Sequence, residues 1–259
     1  MTRKKVGLAL SGGGARGFAH IGVLKVLVEN DIPIDMIAGT SAGSIIGGAY
    51  ASGMSIDELV AMSEKIGWLR TIRPAFGFGG MLSSAPIGRI LAEHFPVTRF
   101  GDLKIPFAAV AFDLATSETV IFRDQGDLIT AIRASCAVPG VFAPIRDDAG
   151  RTLVDGGVLS PMPVETVRAM GADVVIAVDL LSCGSSFASN SRTSIGIALQ
   201  CAMATLQYVA AIEHSTAEIV IEPQIAHLRM DQIAKREEFI SLGDQGARLA
   251  IDDIRKSIE

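Results

Sequence analysis

Short apolar runs alternate with helical patterns along the first part of the chain. Val6–Leu10 is a continuous apolar run, which is typical of a strand buried in a parallel sheet. Apolar residues then recur at helical spacing over 21–28, and a second short apolar run occupies 36–38. Residues 44–51 are rich in Ile, Ala and Gly, which favours a helix packed tightly on a sheet. This succession of strand, loop, helix, strand, turn and helix predicts an α/β fold.

The pattern continues through the middle of the chain. Residues 107–112 and 119–122 are predicted as two strands joined by a polar turn, 127–135 as a helix, and 174–181 as a buried strand. The irregular, apolar and basic stretch 67–84 is predicted either as a lid or binding loop or as an ordinary packed excursion.

The C-terminal part, about 195–259, is predicted to be mostly helical. There is neither an internal repeat nor an interdomain linker in the sequence, so residues 1–259 are predicted to form one domain. Residues 195–212 carry no charge. Their glutamines, glycine and threonine make them marginal as a spanning helix, and a buried or interface helix is favoured over a membrane-contacting surface.

Composition restricts the class of protein. Of the 259 residues, 49% are hydrophobic and 20% charged, which indicates a globular chain. The net charge of −5 argues against a nucleic-acid binder that relies on bulk electrostatics. Three scattered cysteines predict no disulfide framework and no cysteine zinc site, which fits a reducing compartment. The first apolar run is too short for a secretory signal, so a cytoplasmic location is expected.

The pentapeptide from Gly39 to Gly43 is a G-x-S-x-G motif with Ser41 at its centre. It lies between a predicted strand and a predicted helix, which is the context of a nucleophile elbow. Gly39 and Gly43 supply the small residues that such a turn requires. The alternative is a tight turn with no chemistry.

A second motif is the glycine loop of residues 11–17, which contains Gly12, Gly13, Gly14 and Arg16. Consecutive glycines expose backbone N–H groups that can hold an oxyanion or a phosphate. The loop also fits G-x-G-x-x-G, so a nucleotide-binding reading stays open, but the Gly-Lys-Ser/Thr ending of a Walker A loop is missing. Arg16 could meet a phosphate or form a structural ion pair.

The third motif is Asp155-Gly156-Gly157, which follows a short apolar strand. A serine nucleophile needs a base, and only His214 and His227 follow Asp155 in the chain. Neither lies at a glycine-rich strand end. The remaining candidate is Asp155 acting directly on Ser41 as a dyad, which requires a desolvated carboxyl group with a raised pKa.

Together these motifs resemble those of the patatin-like phospholipases, in the same order and at similar spacing. Residues 134–144 are similar to a further segment of that family. The resemblance covers about residues 5–180, and the last 80 or so residues match less well. The sequence departs from many relatives at Gly157, where they have alanine; this should not affect the chemistry.

The resemblance implies a three-layer α/β/α fold with a mostly parallel central sheet. It also implies a carboxylic ester hydrolase in which Ser41 is the nucleophile, Asp155 the base and Gly12–Gly14 the oxyanion hole. Arg16 would steady the loop or meet the lipid phosphate. The expected substrates are phospholipids, lysophospholipids or fatty-acyl esters, and no cofactor, metal or nucleic acid is expected. Peripheral contact with the inner face of the membrane and a homo-oligomer are further expectations. The alternative function is a non-catalytic lipid- or phosphate-binding module.

Overall fold

The computed structural model describes residues 3–66, 73–74, 82–182 and 193–259. The strands in chain order are β1 Val6–Leu10, β2 Met36–Thr40, β3 Arg73–Pro74, β4 Leu82–Ser83, β5 Phe107–Asp113, β6 Glu118–Phe122, β7 Ile145–Arg146, β8 Thr152–Asp155, β9 Val174–Val178 and β10 Ile219–Ile221. The α-helices are α1 Ala19–Glu29, α2 Ala42–Ala51, α3 Ile56–Ser63, α4 Ala85–His94, α5 Leu128–Ser135, α6 Val164–Ala169, α7 Ser194–His214 and α8 Arg236–Ile258. Short 3-10 helices occupy Gly14–Phe18, Phe100–Asp102, Gly156–Val158 and Ile233–Lys235.

An eight-stranded sheet forms the centre of the fold. Its order is β10-β9-β1-β2-β5-β8-β7, with β6 also paired to β5. The strands from β10 to β5 are parallel, whereas β6 and β8 run antiparallel to β5 and β7 runs antiparallel to β8. The mostly parallel sheet predicted from the sequence is therefore confirmed. The short strands β3 and β4 form a separate two-stranded sheet.

Helices cover both faces of this sheet. On β1, Leu8 and Leu10 belong to a large apolar core on one face, which α1, α2, α3, α5 and α8 complete. Ala9 points to the other face and belongs to a smaller core with Val164 and Val167 of α6. Alternation along a strand places successive side chains on opposite faces. The three-layer α/β/α architecture follows from this double burial, which also explains why the strands are continuously apolar.

The pairing of β5 positions the functional motifs. Thr40 at the end of β2 pairs with Val110, and Asp155 at the end of β8 pairs with the next residue, Ala111. Because β2 and β8 approach β5 from opposite directions, their carboxyl ends meet at the middle of this strand. Thr40 and Asp155, which are far apart in the chain, therefore lie close together.

Most predicted elements are present, with shifted ends. The predicted strand over 174–181 ends at Val178, because the Asp179 carboxylate then accepts the N–H groups of Leu181 and Ser182 and turns the chain. The short strand β10 has no signal in the sequence analysis. Of the stretch 67–84, residues 67–72 and 75–81 lie outside the described residues, so the lid stays a prediction, as does the single domain. Among the helices described, none is long and apolar enough to cross a membrane.

Candidate active site

Ser41 lies in a strained turn between β2 and α2. Its backbone has φ 53° and ψ −122°, in a region that residues with a side chain rarely adopt. The Ser41 N–H donates to Ser135 Oγ of α5 at 2.9 Å, while its carbonyl accepts the N–H groups of Ser44 and Ile45 in the first turn of α2. This geometry fits the nucleophile elbow predicted from the sequence.

The two glycines of the elbow are required by close backbone approaches. A Cβ at Gly43 would lie 2.2 Å from the Leu10 carbonyl oxygen, and a Cβ at Gly39 would lie 2.4 Å from the Gly43 carbonyl oxygen. Neither position has room for a methyl group. The elbow therefore packs directly on the end of β1, next to the glycine loop.

Asp155 is 5% exposed and ends β8. Burial raises the pKa of its carboxyl group to about 6, against the opposing effect of hydrogen-bonding interactions with the Ser41 side chain and the Gly157 N–H. The Gly157 N–H donates to Asp155 Oδ1 at 2.8 Å. A desolvated carboxylate of this kind is a far better proton acceptor than one in water.

Gly156 and Gly157 let the Asp155 turn pack closely on its neighbours. A Cβ at Gly156 would lie 2.3 Å from the Val110 carbonyl oxygen of β5, and a Cβ at Gly157 would lie 3.0 Å from both Asp155 Oδ1 and Leu206 Cδ1. The pair thus keeps the carboxylate against the sheet and leaves it accessible to Ser41.

The glycine loop lies beside Ser41: a Cβ at Gly12 would be 3.3 Å from the Ser41 Cβ. The N–H groups of the three glycines differ in their partners. The Gly12 N–H donates to the Pro161 carbonyl at 2.9 Å, which makes it a weaker candidate for an oxyanion donor than its neighbours. The N–H groups of Gly13 and Gly14 have no acceptor among the described residues. Gly14 has φ +57°, and a Cβ there would lie 2.7 Å from the Met230 carbonyl oxygen, so only glycine fits.

Arg16 is fully buried and supports the loop from behind. Its Nε and Nη2 donate to the Leu228 carbonyl at 3.1 and 2.8 Å, and its Nη1 donates to the Leu180 carbonyl at 3.1 Å. These partners favour the loop-steadying role over a contact with the lipid phosphate.

Two apolar cavities meet at Ser41. One, of about 330 Å³, is lined by the glycine loop, Asp155, Leu181, Met203 and Leu206 among others. The second, of about 200 Å³, is lined mainly by apolar side chains of α2, α4 and the loop after α5, with Ile45, Ile87, Val141 and Phe142 among them. Gly14, Ser41, Val138 and Met230 line both cavities. Such spaces suit apolar chains attached to the two sides of a reacting group.

The histidines that the sequence offers as catalytic bases do not line the two cavities. His214 Nδ1 faces Asp179 Oδ2 at 3.2 Å and Glu222 Oε1 at 3.3 Å, and His227 pairs with Glu238 at 3.2 Å. No histidine is among the described residues that line the two cavities. Burial lowers the pKa of His20 to about 4, and its Nε2 lies 2.9 Å from the Ser11 carbonyl, so it supports the glycine loop as a neutral side chain.

Among the described residues, one group of side chains is spaced closely enough to hold a metal ion: Asp179, His214 and Glu222. His214 Nδ1 lies within hydrogen-bonding distance of both carboxylates. The cluster is thus a hydrogen-bonded group at the C-terminal end of α7.

Three residues of the site are not predicted from the sequence: Ser135, Pro161 and Met230. Ser135 lies within the segment 134–144 that resembles the family, so a signal for it existed. Pro161 and Met230 act through their carbonyl groups, and a backbone role leaves no mark on the type of side chain. They can be recognised only from the fold.

Comparisons with known proteins show the family to which the chain belongs. The family model described as patatin-like phospholipase matches residues 8–168.

An uncharacterized NTE family protein of Mycobacterium tuberculosis is 41% identical over 179 residues, which cover 68% of this chain and 49% of the relative. Patatin-like phospholipase domain-containing protein 6 of Homo sapiens is 33% identical over 189 residues, 70% of this chain and 14% of the relative. Lysophospholipase nte1 of Neurospora crassa is 33% identical over 183 residues, 68% of this chain and 12% of the relative. The chain thus spans half or less of the length of these curated relatives.

Solved structures give the same fold at low sequence identity. VipD from Legionella pneumophila superposes with a TM-score of 0.58 at 14% identity, over 97% of this chain and 67% of VipD. ExoU of Pseudomonas aeruginosa, in complex with SpcU, gives a TM-score of 0.53 at 13% identity, over 99% of this chain and 53% of the matched chain. At these identities the likeness concerns the fold alone.

Proposed function

Because the chain belongs to the patatin-like phospholipase family, we propose that it is a serine hydrolase of lipid acyl esters that works with a Ser41–Asp155 dyad. The observation that carries the proposal is the meeting of a strained serine with a buried carboxylate at the junction of two apolar cavities. Neither cavity is lined by a histidine or a cation among the described residues. The arrangement thus offers a nucleophile, a base and room for an apolar substrate.

The reaction begins when Ser41 Oγ attacks the ester carbonyl carbon and Asp155 accepts the hydroxyl proton. The carbonyl oxygen becomes an oxyanion, which the N–H groups of Gly13 and Gly14 stabilise. The intermediate collapses, the bond to the alcohol breaks, and Asp155 returns its proton to the leaving oxygen. Water, deprotonated by Asp155, then attacks the carbonyl carbon of the acyl-serine. The bond from the acyl group to Ser41 Oγ breaks, Asp155 returns its proton to Ser41 Oγ, and the fatty acid leaves.

Two further features favour this chemistry. Ser41 precedes the first turn of α2, whose N-terminal partial positive charge stabilises an anion at this point. The apolar surroundings strengthen these electrostatic interactions because little water screens them.

The substrate class follows from the family and from the cavities. A lysophospholipase is among the relatives by its printed name, and the apolar linings suit fatty-acyl chains. We therefore propose phospholipids, lysophospholipids or simpler fatty-acyl esters as substrates. Peripheral membrane contact, a cytoplasmic location and a homo-oligomer remain predictions from the sequence.

Hydrolysis of p-nitrophenyl butyrate, together with labelling by a fluorophosphonate probe, tests the proposal. The wild type should release product and take up the probe. Ser41→Ala should abolish labelling and lower activity by at least about 10⁴-fold, and Asp155→Asn should lower activity by about 10²- to 10⁴-fold. Ser63→Ala is the matched control, since the hydroxyl of this buried serine donates to the Val60 carbonyl within α3. Wild-type activity in Ser41→Ala would refute the dyad.

The same experiment separates the alternative, a non-catalytic lipid- or phosphate-binding module. A binding module has no need to activate its serine, so it would bind lysophospholipid without labelling of Ser41. A nucleotide-binding protein would instead show a thermal shift with NAD or ATP and none with lipid.

A further inference from the structure

The turn at residues 160–162 connects the parts of the proposed active site. Its Ser160 carbonyl accepts the Thr40 hydroxyl at 2.7 Å, next to the nucleophile. Its Pro161 carbonyl accepts the Gly12 N–H at 2.9 Å, and the Ser160 N–H donates to the Gly156 carbonyl at 2.9 Å, next to the dyad aspartate. The turn therefore contacts the elbow, the glycine loop and the Asp155 turn at once.

One carboxylate holds this turn in place. Glu213, near the C-terminal end of α7, accepts the Ser160 hydroxyl at Oε1 and the Met162 N–H at Oε2, both at 2.7 Å. The two bonds involve the residues on either side of Pro161, and the carbonyl of Pro161 accepts the Gly12 N–H. Proline has no N–H of its own, so the bonds between Glu213 and its two neighbours add to the bonds with Thr40, Gly12 and Gly156 that fix the direction of its carbonyl.

The position of Gly12 determines where its neighbours point. Gly12 is the fixed end of the segment that carries the N–H groups of Gly13 and Gly14, which have no acceptor in the part of the chain that the structure describes. The Ala15 N–H fixes the other end by donating to the Met230 carbonyl at 2.8 Å. A shift of the Pro161 carbonyl would release the first of these two anchors. The oxyanion donors would then lose their alignment with Ser41.

We infer that Glu213 is a positioning residue for the proposed hydrolysis: through the 160–162 turn it keeps the glycine loop aligned with the oxyanion. The inference rests on the proposed function and adds to it a residue outside the three motifs. It also gives α7 a role at its C-terminal end, in addition to lining the larger cavity with Met203 and Leu206.

The surroundings of Glu213 explain how a carboxylate can serve here. Burial raises the pKa of Glu213 to about 7, helped by the carboxylates of Glu165 and Asp179 and opposed by the bonds from Ser160 and Met162. The neighbouring His214 directs its Nδ1 to Asp179 and Glu222. A neutral side chain of the same shape should therefore fit the position. Glutamine can accept the Met162 N–H with its oxygen and donate to the Ser160 hydroxyl with its amide group.

The test compares Glu213→Ala with Glu213→Gln in p-nitrophenyl butyrate hydrolysis. Turnover is normalised to the number of sites that a fluorophosphonate probe labels at completion, so that unfolded protein is not counted. Glu213→Ala should lower kcat by about 10²-fold with little change in KM, because a misaligned oxyanion hole affects the transition state and not the apolar cavities. Glu213→Gln should restore kcat to within a few-fold of wild type.

Glu222→Ala is the matched control, because Glu222 is on the same side of the molecule and contacts His214 and Ser182 but not the 160–162 turn. It should leave kcat unchanged. If Glu213→Ala does not fold, Glu213→Asp replaces it: its shorter side chain cannot reach both Ser160 and Met162, and kcat should again fall.

Wild-type kcat per labelled site in Glu213→Ala, even with a lowered melting temperature, would overturn the inference, since the role would then be structural only. Equal losses in the alanine and glutamine variants would also overturn it, because the paired hydrogen bonds would not be what matters. Failure of the proposed function has a different signature, namely a wild type that neither hydrolyses the ester nor takes up the probe.

Discussion

At the scale of single residues, Asp155 has the property that a base for serine needs. A carboxyl group in water has a pKa too low to take a hydroxyl proton efficiently, whereas burial brings that of Asp155 to about 6. The protein obtains this by ending β8 against the middle of β5, away from solvent. A histidine is then unnecessary, in keeping with the positions of His214 and His227.

The pH dependence of activity should report this carboxyl group. The base works only when deprotonated, so kcat/KM should be constant above pH 7, be half-maximal near pH 6 and fall about tenfold per pH unit well below it. The measurement is hydrolysis of p-nitrophenyl butyrate between about pH 4.5 and pH 8. The profile should be repeated in Glu213→Gln, which removes the other raised carboxyl group nearby. A flat profile down to pH 4.5 would argue against Asp155 as the base.

Gly43 should be irreplaceable for a steric reason. Gly43→Ala places a methyl group 2.2 Å from the Leu10 carbonyl oxygen, and the elbow must move away from β1. We expect a loss of about 3 kcal/mol of unfolding free energy, as for a severe case of overpacking, and loss of probe labelling at Ser41. Denaturant unfolding measures the first. Gly101→Ala is the control, because its nearest contact would be 3.9 Å away, and it should behave as wild type.

At the scale of elements, the glycine loop is held by segments that follow much later in the chain. Arg16 joins it to the Leu180 carbonyl after β9 and to the Leu228 carbonyl before α8, and the Ser11 hydroxyl accepts the Leu180 N–H at 3.0 Å. These bonds anchor the loop through the chain's own groups, and such anchoring is what the proposed N–H donors require for preorganisation.

Replacing the buried guanidinium should destabilise the whole fold. Arg16→Met keeps much of the apolar stem but removes the hydrogen bonds that the guanidinium donates to the Leu180 and Leu228 carbonyls, at a cost of about 3 kcal/mol or more. Urea unfolding followed by circular dichroism measures this. Arg255→Met, which removes an exposed arginine bonded to Asn30, is the control and should shift the midpoint little. A midpoint in Arg16→Met equal to that of the control would contradict the proposed support.

At the scale of the molecule, the two cavities define how a substrate would lie. They meet at Ser41, one under α7 and the other between α2 and α4. An ester bond at the serine would place its acyl chain in one cavity and its alcohol portion toward the other. The sheet supplies the reacting groups, and the helices around its carboxyl edge supply the walls.

Filling either cavity should change the preference for chain length while leaving the chemistry intact. Leu206→Trp narrows the larger cavity and Ile87→Trp the smaller one. The test uses p-nitrophenyl esters of increasing acyl length. In the variant that blocks the acyl cavity, kcat/KM for long-chain esters should fall about tenfold or more, and both variants should retain activity on the acetate ester. The other variant is the internal control. Equal chain-length profiles in both variants and wild type would exclude these cavities as acyl sites.

Much of the first half of the fold could be predicted from the sequence. The apolar run of β1, the helical spacing of α1, and the strand and helix around Gly39–Gly43 depend on local periodicity and on steric demands within a few residues. The elbow at Ser41 was predictable for the same reason. The three-residue strand β10 was not, since so short an apolar run carries no periodicity.

What the sequence determined by itself was the set of local conformations: buried strands, a strained serine turn and a glycine loop with exposed N–H groups. The tertiary structure decided which of these groups meet and in what state. Only the antiparallel register of β8 on β5 brings Asp155 to Ser41, and only its burial there raises the pKa of the carboxyl group. The bond from Gly12 to Pro161, and the hold of Glu213 on that turn, likewise join residues far apart in the chain. Local patterns arise from stereochemistry within a few residues, whereas pairing and desolvation depend on the whole packed chain.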